Sequence, residues 1–419
     1  MTSSDTARLL SERGSTLCRG CGRRTVESVL DLGDQPLANE LLHSTDEPDS
    51  AYPLHLRICT SCGLGQVGEV VLPERIFSDY PYLSSVSTSW VEHARRYAAQ
   101  VTGELGLDPT SLVVEVASND GYLLKEFQAL GIGVLGVEPA ANVAGIATAA
   151  GVPTLNAFFG RDTARAVVEE HGHPRLVAAN NVMAHVPDLD DFVGGFAILC
   201  ASDTVITVEN PSFATLLSET QFDTIYHEHY SYLSVHAVAA MVAPHGLELF
   251  RVERLKSHGG SYRYWIAPQG SRPLDPSVAE AVADELAAGL LDRTERTAFA
   301  DRSRRTISGL RAWFDERRAA RATVVGYGAA AKGNTLLNAA GATADDLVAV
   351  ADANTTKQGS FLPGSRVPIV SPEALAAAAP TDVLLLPWNL RTEVVPLLAD
   401  IVPAATVWIA VPTMTRVSG

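Results

Sequence analysis

Thiols are scarce in this 419-residue chain, with five cysteines in all. So few exclude a disulfide-stapled scaffold in a chain of this length. Positive charge is short too: 32 Lys and Arg face 48 Asp and Glu, a formal net charge of −16. Without a basic stripe, a generic nucleic-acid footprint is absent. No apolar run reaches the roughly 18 residues of a membrane span. The opening MTSSDTARLLSERG has no apolar core of signal-peptide length. The expectation is a cytoplasmic protein with neither nucleic acid nor membrane as partner, taken to be monomeric. Its length suffices for two or three domains with substantial cores.

The few cysteines are not scattered. Four fall in two pairs, Cys18-x-x-Cys21 and Cys59-x-x-Cys62. Each pair sets two thiolates on one knuckle, and two knuckles complete a tetrahedral zinc site. Four sulfur ligands leave no open position, so the Zn2+ is expected to be structural. Residues 1–75 then read as a zinc-binding module that takes much of its stability from metal. Cys200 stands alone after an apolar run and reads as a small hydrophobe.

The stretch from Leu112 to Asn142 organises the rest. Leu112-Val113-Val114 suits a strand buried on both faces, and Ser118-Asn119-Asp120-Gly121 supplies turn chemistry. Tyr122 to Leu130 carries apolar residues at helical spacing, and a second strand ends at Glu138-Pro139. An acidic residue there can accept both hydroxyls of a ribose. The first turn is not GxGxxG, so no pyrophosphate cradle is present. The pattern Glu115-x-Ala117-x-x-x-Gly121 suits a nucleoside without a pyrophosphate, such as S-adenosylmethionine.

From about 108 to 270 strands and helices alternate as in a doubly wound sheet, whose strand ends carry Glu138, Asn180 and Glu209. Two further strands flank Lys256-Ser257-His258-Gly259-Gly260-Ser261. Before them, Tyr226-His227-Glu228-His229 lies in the densest cluster of titratable groups and is expected over the ligand crevice. HExxH is absent, so acid–base chemistry is preferred to a metal there. Beyond a helical bridge from Pro276, Gly326-x-Gly328-x-x-Ala331-Lys332 opens a second glycine-containing βα unit, with a strand over Leu347 to Ala351 ending at Asp352. That unit would pass for a dinucleotide fingerprint, and Lys332 could equally hold the pyrophosphate of a nucleotide sugar.

These motifs, in this order, resemble the deoxysugar C-methyltransferases of antibiotic biosynthesis, which methylate C-3 or C-5 of dTDP-4-keto-6-deoxysugars. The resemblance covers essentially the whole chain. It implies an α/β architecture of an N-terminal zinc-binding module, a central Rossmann-like class I methyltransferase domain over 76–275, and a helical bridge with a C-terminal Rossmann-like domain over 276–419. It also implies S-adenosylmethionine contacts at Glu115, Ala117, Asn119, Asp120, Gly121, Leu123, Glu138, Pro139, Phe158 and Asn180. Tyr80, His185, Tyr226, Glu228 and His229 match the family's active-site positions, with His229 the expected base and Glu228 expected to orient it or a sugar hydroxyl. The adjacent His227 leaves open which imidazole acts. Expected substrate contacts are Tyr82, His258, Gly259, Gly260, Ser261, Arg263 and Lys332.

Carbon becomes a nucleophile when a neighbouring carbonyl lets it shed a proton, which a 4-keto sugar allows at C-3 and C-5. Imidazole, with a pKa of about 6.5, is the natural base. Phenol and imidazole donors would steady the enolate oxygen. The resemblance favours C-3. The alternatives are C-5 methylation, or a NADPH-dependent 4-ketoreductase built on Gly326 to Asp352.

Overall fold

The computed structural model describes residues 14–68, 71–77 and 83–418. Tyr80 and Tyr82 lie outside the described residues. The N-terminal part forms an antiparallel sheet of β1 (Val26–Pro36), β2 (Ala51–Cys59) and β3 (Gly65–Val67). Helix Thr88–Leu105 follows, started by the Ser87 hydroxyl accepting from the Trp90 N–H and ended by Gly106 in the left-handed region.

The middle of the chain builds β4 (Leu112–Val116), β5 (Gly133–Val137), β6 (Thr154–Leu155), β7 (Leu176–Asn180), β8 (Val205–Pro211), β9 (Ser231–Tyr232), β10 (Leu247–Leu255) and β11 (Ser261–Pro268). All but β9 join one seven-stranded sheet in the order β10-β11-β8-β7-β4-β5-β6, with β11 antiparallel between β8 and β10. The strand order reverses at β4, which pairs in parallel with both β5 and β7, so the crevice beyond its carboxyl end is the place for a ligand.

Helices Pro276–Ala287 and Arg293–Ala319 lead to the C-terminal strands β12 (Val324–Tyr327), β13 (Val350–Ala351), β14 (Ile369–Val370), β15 (Asp382–Leu385), β16 (Thr406–Ile409) and β17 (Thr415–Ser418). They form a second doubly wound sheet, ordered β14-β13-β12-β15-β16-β17, with only β17 antiparallel. The strand expected over Leu347 to Ala351 is thus limited to two residues. The helix expected over Tyr122 to Leu130 likewise contracts to Leu124–Ala129, because the turn before it runs on through Tyr122.

Among the described residues the N-terminal module has no core of its own. Leu54, Leu56, Ile58 and Val67 belong to one apolar cluster with Phe213, Phe299, Leu310 and Leu336. Cys18, Cys59 and Cys62 pack with Val235, Val238 and Met241 of the central part. Its burial, and not metal alone, therefore ties the module to both larger sheets. β9 is a strand not expected from the sequence. It lies just after the titratable cluster and leaves the central sheet to pair with β3 as the fourth strand of the N-terminal one. Among the described residues no helix is long and apolar enough to cross a membrane.

Candidate active site

The four paired cysteines converge. Their sulfurs all lie within 4.8 Å of one another, with Cys18 Sγ 3.5 Å from Cys62 Sγ and Cys21 Sγ 3.6 Å from Cys59 Sγ. Tetrahedral zinc with bonds of about 2.3 Å sets its sulfurs about 3.8 Å apart, so the donor set fits the ion. Backbone bonds close both knuckles: the N–H of Gly22 donates to the carbonyl of Cys18, and that of Gly63 to Cys59.

At the carboxyl end of β4 three buried carboxylates gather. Glu115 is 1% exposed, and neither of its oxygens has a partner among the described residues. Burial, and then the charges of Glu138 and Asp120, hold its pKa well above the usual carboxylate range. Glu138 accepts the Asn119 N–H on one oxygen and the Ala140 N–H on the other, each at 2.9 Å. Asp120 accepts the Ser85 N–H, and its second oxygen is unpartnered. Asn119 accepts the Ser84 N–H at 2.8 Å, so the segment before helix Thr88–Leu105 lies on this loop. Ala117, Asn119 and Gly121 all take positive φ, which turns the chain sharply between strand and helix.

Three buried carboxyl groups, two of them with orphaned oxygens, suit a cation, whose charge would favour their ionised form. S-adenosylmethionine carries a sulfonium and an ammonium against one carboxylate, so the cradle fits it. Pro139 and Asn180 lie at the ends of β5 and β7, and Asn180 has an unpartnered buried oxygen. Leu123 is wholly buried and serves the core, while Phe158 is 42% exposed.

The Tyr226-His227-Glu228-His229 segment is a β-turn, closed by the His229 N–H on the Tyr226 carbonyl at 3.0 Å. Its first and last side chains meet. Tyr226 Oη is 2.9 Å from His229 Nε2, and the two rings lie 4.1 Å apart. His229 Nδ1 is 3.1 Å from the Thr224 carbonyl, which only accepts, so Nδ1 carries the proton. Nε2 then presents its lone pair, and the Tyr226 O–H donates to it. Burial first, and then neighbouring His185 and Lys332, depress the His229 pKa well below that of free imidazole, so the ring is neutral. His185 lies against it, ring centroids 4.7 Å apart and tilted by 58°, and donates from Nδ1 to the Glu228 carbonyl at 2.7 Å. Burial lowers the His185 pKa to about 4.

The two central side chains of the turn point elsewhere. His227 is buried against the N-terminal module, its Nε2 3.2 Å from the Tyr52 carbonyl. One Glu228 oxygen accepts both the backbone N–H and the side-chain amide of Asn39, at 3.1 and 3.3 Å. The expectation that Glu228 orients His229 is thus corrected, because the Thr224 carbonyl does so. The other Glu228 oxygen is buried without a partner among the described residues and remains suited to a hydroxyl.

Tyr226, His229, His258 and Lys332 share one cavity of about 70 Å³, floored by Asn210, Pro211 and Phe213. Gly259 and Gly260 take positive φ beside it, and a side chain on Gly259 would press on Trp388 and Gln221. Ser261 turns inward to the Ser257 carbonyl. Lys332 reaches the cavity from the start of helix Ala331–Ala339, donates to Asn389 at 2.8 Å and lies 4.9 Å over the Trp388 ring. Trp388 in turn donates to buried Asp223 at 2.7 Å. Burial raises the Asp223 carboxyl to about 6.

Arg263 is not brought to this cavity. It is sealed between Glu209 at 2.8 Å and Glu253 at 3.1 Å, its guanidinium over Tyr97. Asn39, Thr224, Asp223 and Trp388 were missed by sequence reasoning. They act through backbone groups or across more than a hundred positions, and no local pattern marks them.

The chain matches a family described as the C-methyltransferase C-terminal domain over residues 256–412, a methyltransferase domain over 90–252, and a domain proposed to bind zinc over 18–77. The C-methyltransferase NovU of Streptomyces niveus is 36% identical over 381 residues, 90% of this chain and 91% of that protein. Solved structures align weakly. An S-adenosylmethionine-dependent methyltransferase from Anabaena variabilis gives a TM-score of 0.33 at 12% identity, over 40% of this chain and 80% of that one. Magnesium protoporphyrin IX methyltransferase of Synechocystis gives 0.33 at 14%, over 43% and 83%.

Proposed function

The chain belongs to the S-adenosylmethionine-dependent C-methyltransferase family, and from that premise we propose that it methylates C-3 of a dTDP-4-keto-6-deoxysugar, with or without the 2-hydroxyl, in deoxysugar and antibiotic biosynthesis. In this reading the zinc module extends to residue 75, residues 76–275 hold the cofactor, and 276–419 hold the nucleotide sugar. Bound S-adenosylmethionine supplies an electrophilic sulfonium methyl. This chain's residues must create the carbon nucleophile.

The carrying observation is the Tyr226–His229 contact of 2.9 Å with His229 Nδ1 fixed on the Thr224 carbonyl. A neutral imidazole is ready to accept a proton at Nε2, but in the resting protein the Tyr226 O–H occupies that lone pair. An entering ketone oxygen is the better-placed acceptor for the phenol. Once Tyr226 turns its donor to the ketone, Nε2 is free for the α-proton, and the same phenol stabilises the oxygen as it becomes an enolate. Lys332, on the wall of the same cavity, adds positive charge. It also opposes protonation of His229, a penalty that an anionic pyrophosphate beside Lys332 would relieve. Binding of the sugar nucleotide therefore strengthens the base.

The test is deuterium uptake from heavy water into a dTDP-4-keto-6-deoxysugar, with S-adenosylhomocysteine replacing the methyl donor. Exchange is expected at C-3. Exchange at C-5 alone would move the reading to C-5 methylation. His229→Ala should abolish both exchange and methyl transfer while leaving both ligands bound. Loss of activity in His227→Ala but not in His229→Ala would overturn the assignment of the base.

A further inference from the structure

The zinc module does more than pack against the catalytic turn, and we infer that Asn39 is a positioning residue that holds the turn's Glu228 so that His185 and His229 stand together. The inference rests on the proposed active site.

The turn and the strand after it are held largely by residues before position 75. Asn39 gives two donors to one Glu228 oxygen. Tyr52 supplies a carbonyl to His227. Arg19 donates to the Tyr230 carbonyl at 2.8 Å, as does the Val67 N–H at 3.1 Å. Gly65 and Gln66 then pair with Tyr232 and Ser231 only three positions after Cys62. Ser234 closes the ladder by donating to the carbonyl of Gly63, inside the second knuckle.

Asn39 itself cannot follow a moving turn. Three residues on, Leu42 exchanges two backbone hydrogen bonds with Phe361 of the C-terminal part, at 3.0 and 2.8 Å. Arg366 pairs with Asp49 at 3.1 Å, farther along the same segment. The side chain of Asn39 is thus a fixed donor. Glu228 is a buried acceptor whose backbone carbonyl receives the His185 proton. Releasing its side chain loosens that carbonyl, then the His185–His229 ring contact.

Asn39→Ala keeps the backbone donor and removes the amide. The rate of deuterium exchange into the 4-keto sugar nucleotide should fall about five- to a hundredfold, the range for leaving a buried acceptor short of one donor. Affinity for S-adenosylhomocysteine and the melting temperature should stay near wild type. Asn39→Asp places a carboxylate against Glu228, and two such groups cannot both ionise at contact. Its rate relative to wild type should therefore rise as pH falls, when a shared proton restores the bond. Exchange within twofold of wild type in Asn39→Ala overturns the inference, and so does a parallel loss of melting temperature and ligand affinity. A pH-independent ratio in Asn39→Asp does the same. His229→Ala with full exchange would instead overturn the active-site reading.

Discussion

Glu115→Gln separates binding from stability, because it should move them in opposite directions. The carboxylate is sealed in β4 with no hydrogen-bond partner among the described residues and with Glu138 and Asp120 close by. Its folded-state pKa is raised, so between the unfolded and folded values the folded protein holds a proton that the unfolded chain has released. The penalty is absent below the unfolded value of about 4.5 and grows as pH rises toward the folded one. Glutamine keeps the shape and cannot ionise, so the penalty of holding that proton disappears. Its amide can donate to Glu138 or Asp120, so the free protein should gain on the order of 1–2 kcal/mol at pH 7. For domains of this size that is about 2–8 °C in melting temperature. The bound cofactor loses a charge-assisted partner worth about 1.5–3 kcal/mol, so affinity for S-adenosylmethionine should fall about ten- to 150-fold. Calorimetry and melting curves from pH 4 to 8 read both quantities. The variant's stability advantage should vanish near pH 4. A variant less stable at pH 7, an advantage that grows on acidification, or unchanged affinity would refute the reasoning.

Three further outcomes follow from the same geometry. Glu138→Ala should weaken S-adenosylmethionine by roughly 1.5–3 kcal/mol, with unchanged affinity by calorimetry refuting its assignment to the ribose. Cys59→Ser should drop metal content below the expected one zinc per chain and lower the melting temperature, without a selective loss of cofactor affinity. Folded wild-type protein free of zinc would refute the metal site. Arg263→Met removes the cation shared by buried Glu209 and half-buried Glu253, leaving them only His93 and Arg251, so it should cost about 1.5–3 kcal/mol of stability while the folded fraction keeps its affinity for the sugar nucleotide.

The gathering of carboxyl groups at the end of β4 was legible because its determinants are local. Glu115, the loop to Gly121, and Glu138 belong to one strand–turn–helix–strand unit, and β-branched runs with a turn between them mark such a unit directly. The zinc site was legible for the same reason, since two residues between cysteines fix a knuckle. Arg263 misled because a cation near a glycine-rich loop looks the same whether it faces ligand or protein. Only the antiparallel register of β11, which sets Arg263 opposite Glu209 on β8 and Glu253 on β10, reveals that its charge is already matched.

The choice between His227 and His229 was out of reach for a different reason. Two imidazoles two positions apart would face the same way in a strand, and about 200° apart in a helix. Neither regular structure occurs. Tyr226 to His229 is a β-turn without the Gly, Pro or Asn that usually announces one. A turn brings its first and fourth side chains together and throws the middle two outward. Tyr226 therefore meets His229, while His227 and Glu228 go to Tyr52 and Asn39, more than 170 positions earlier in the chain. What pins the turn is β9, a two-residue strand too short to show any periodicity, paired to β3 beside the second zinc knuckle. In the proposed mechanism, then, a distant module selects which imidazole serves as the base. A variant that weakens β3–β9 pairing should consequently slow proton abstraction more than it weakens cofactor binding, and equal losses in both would count against this coupling.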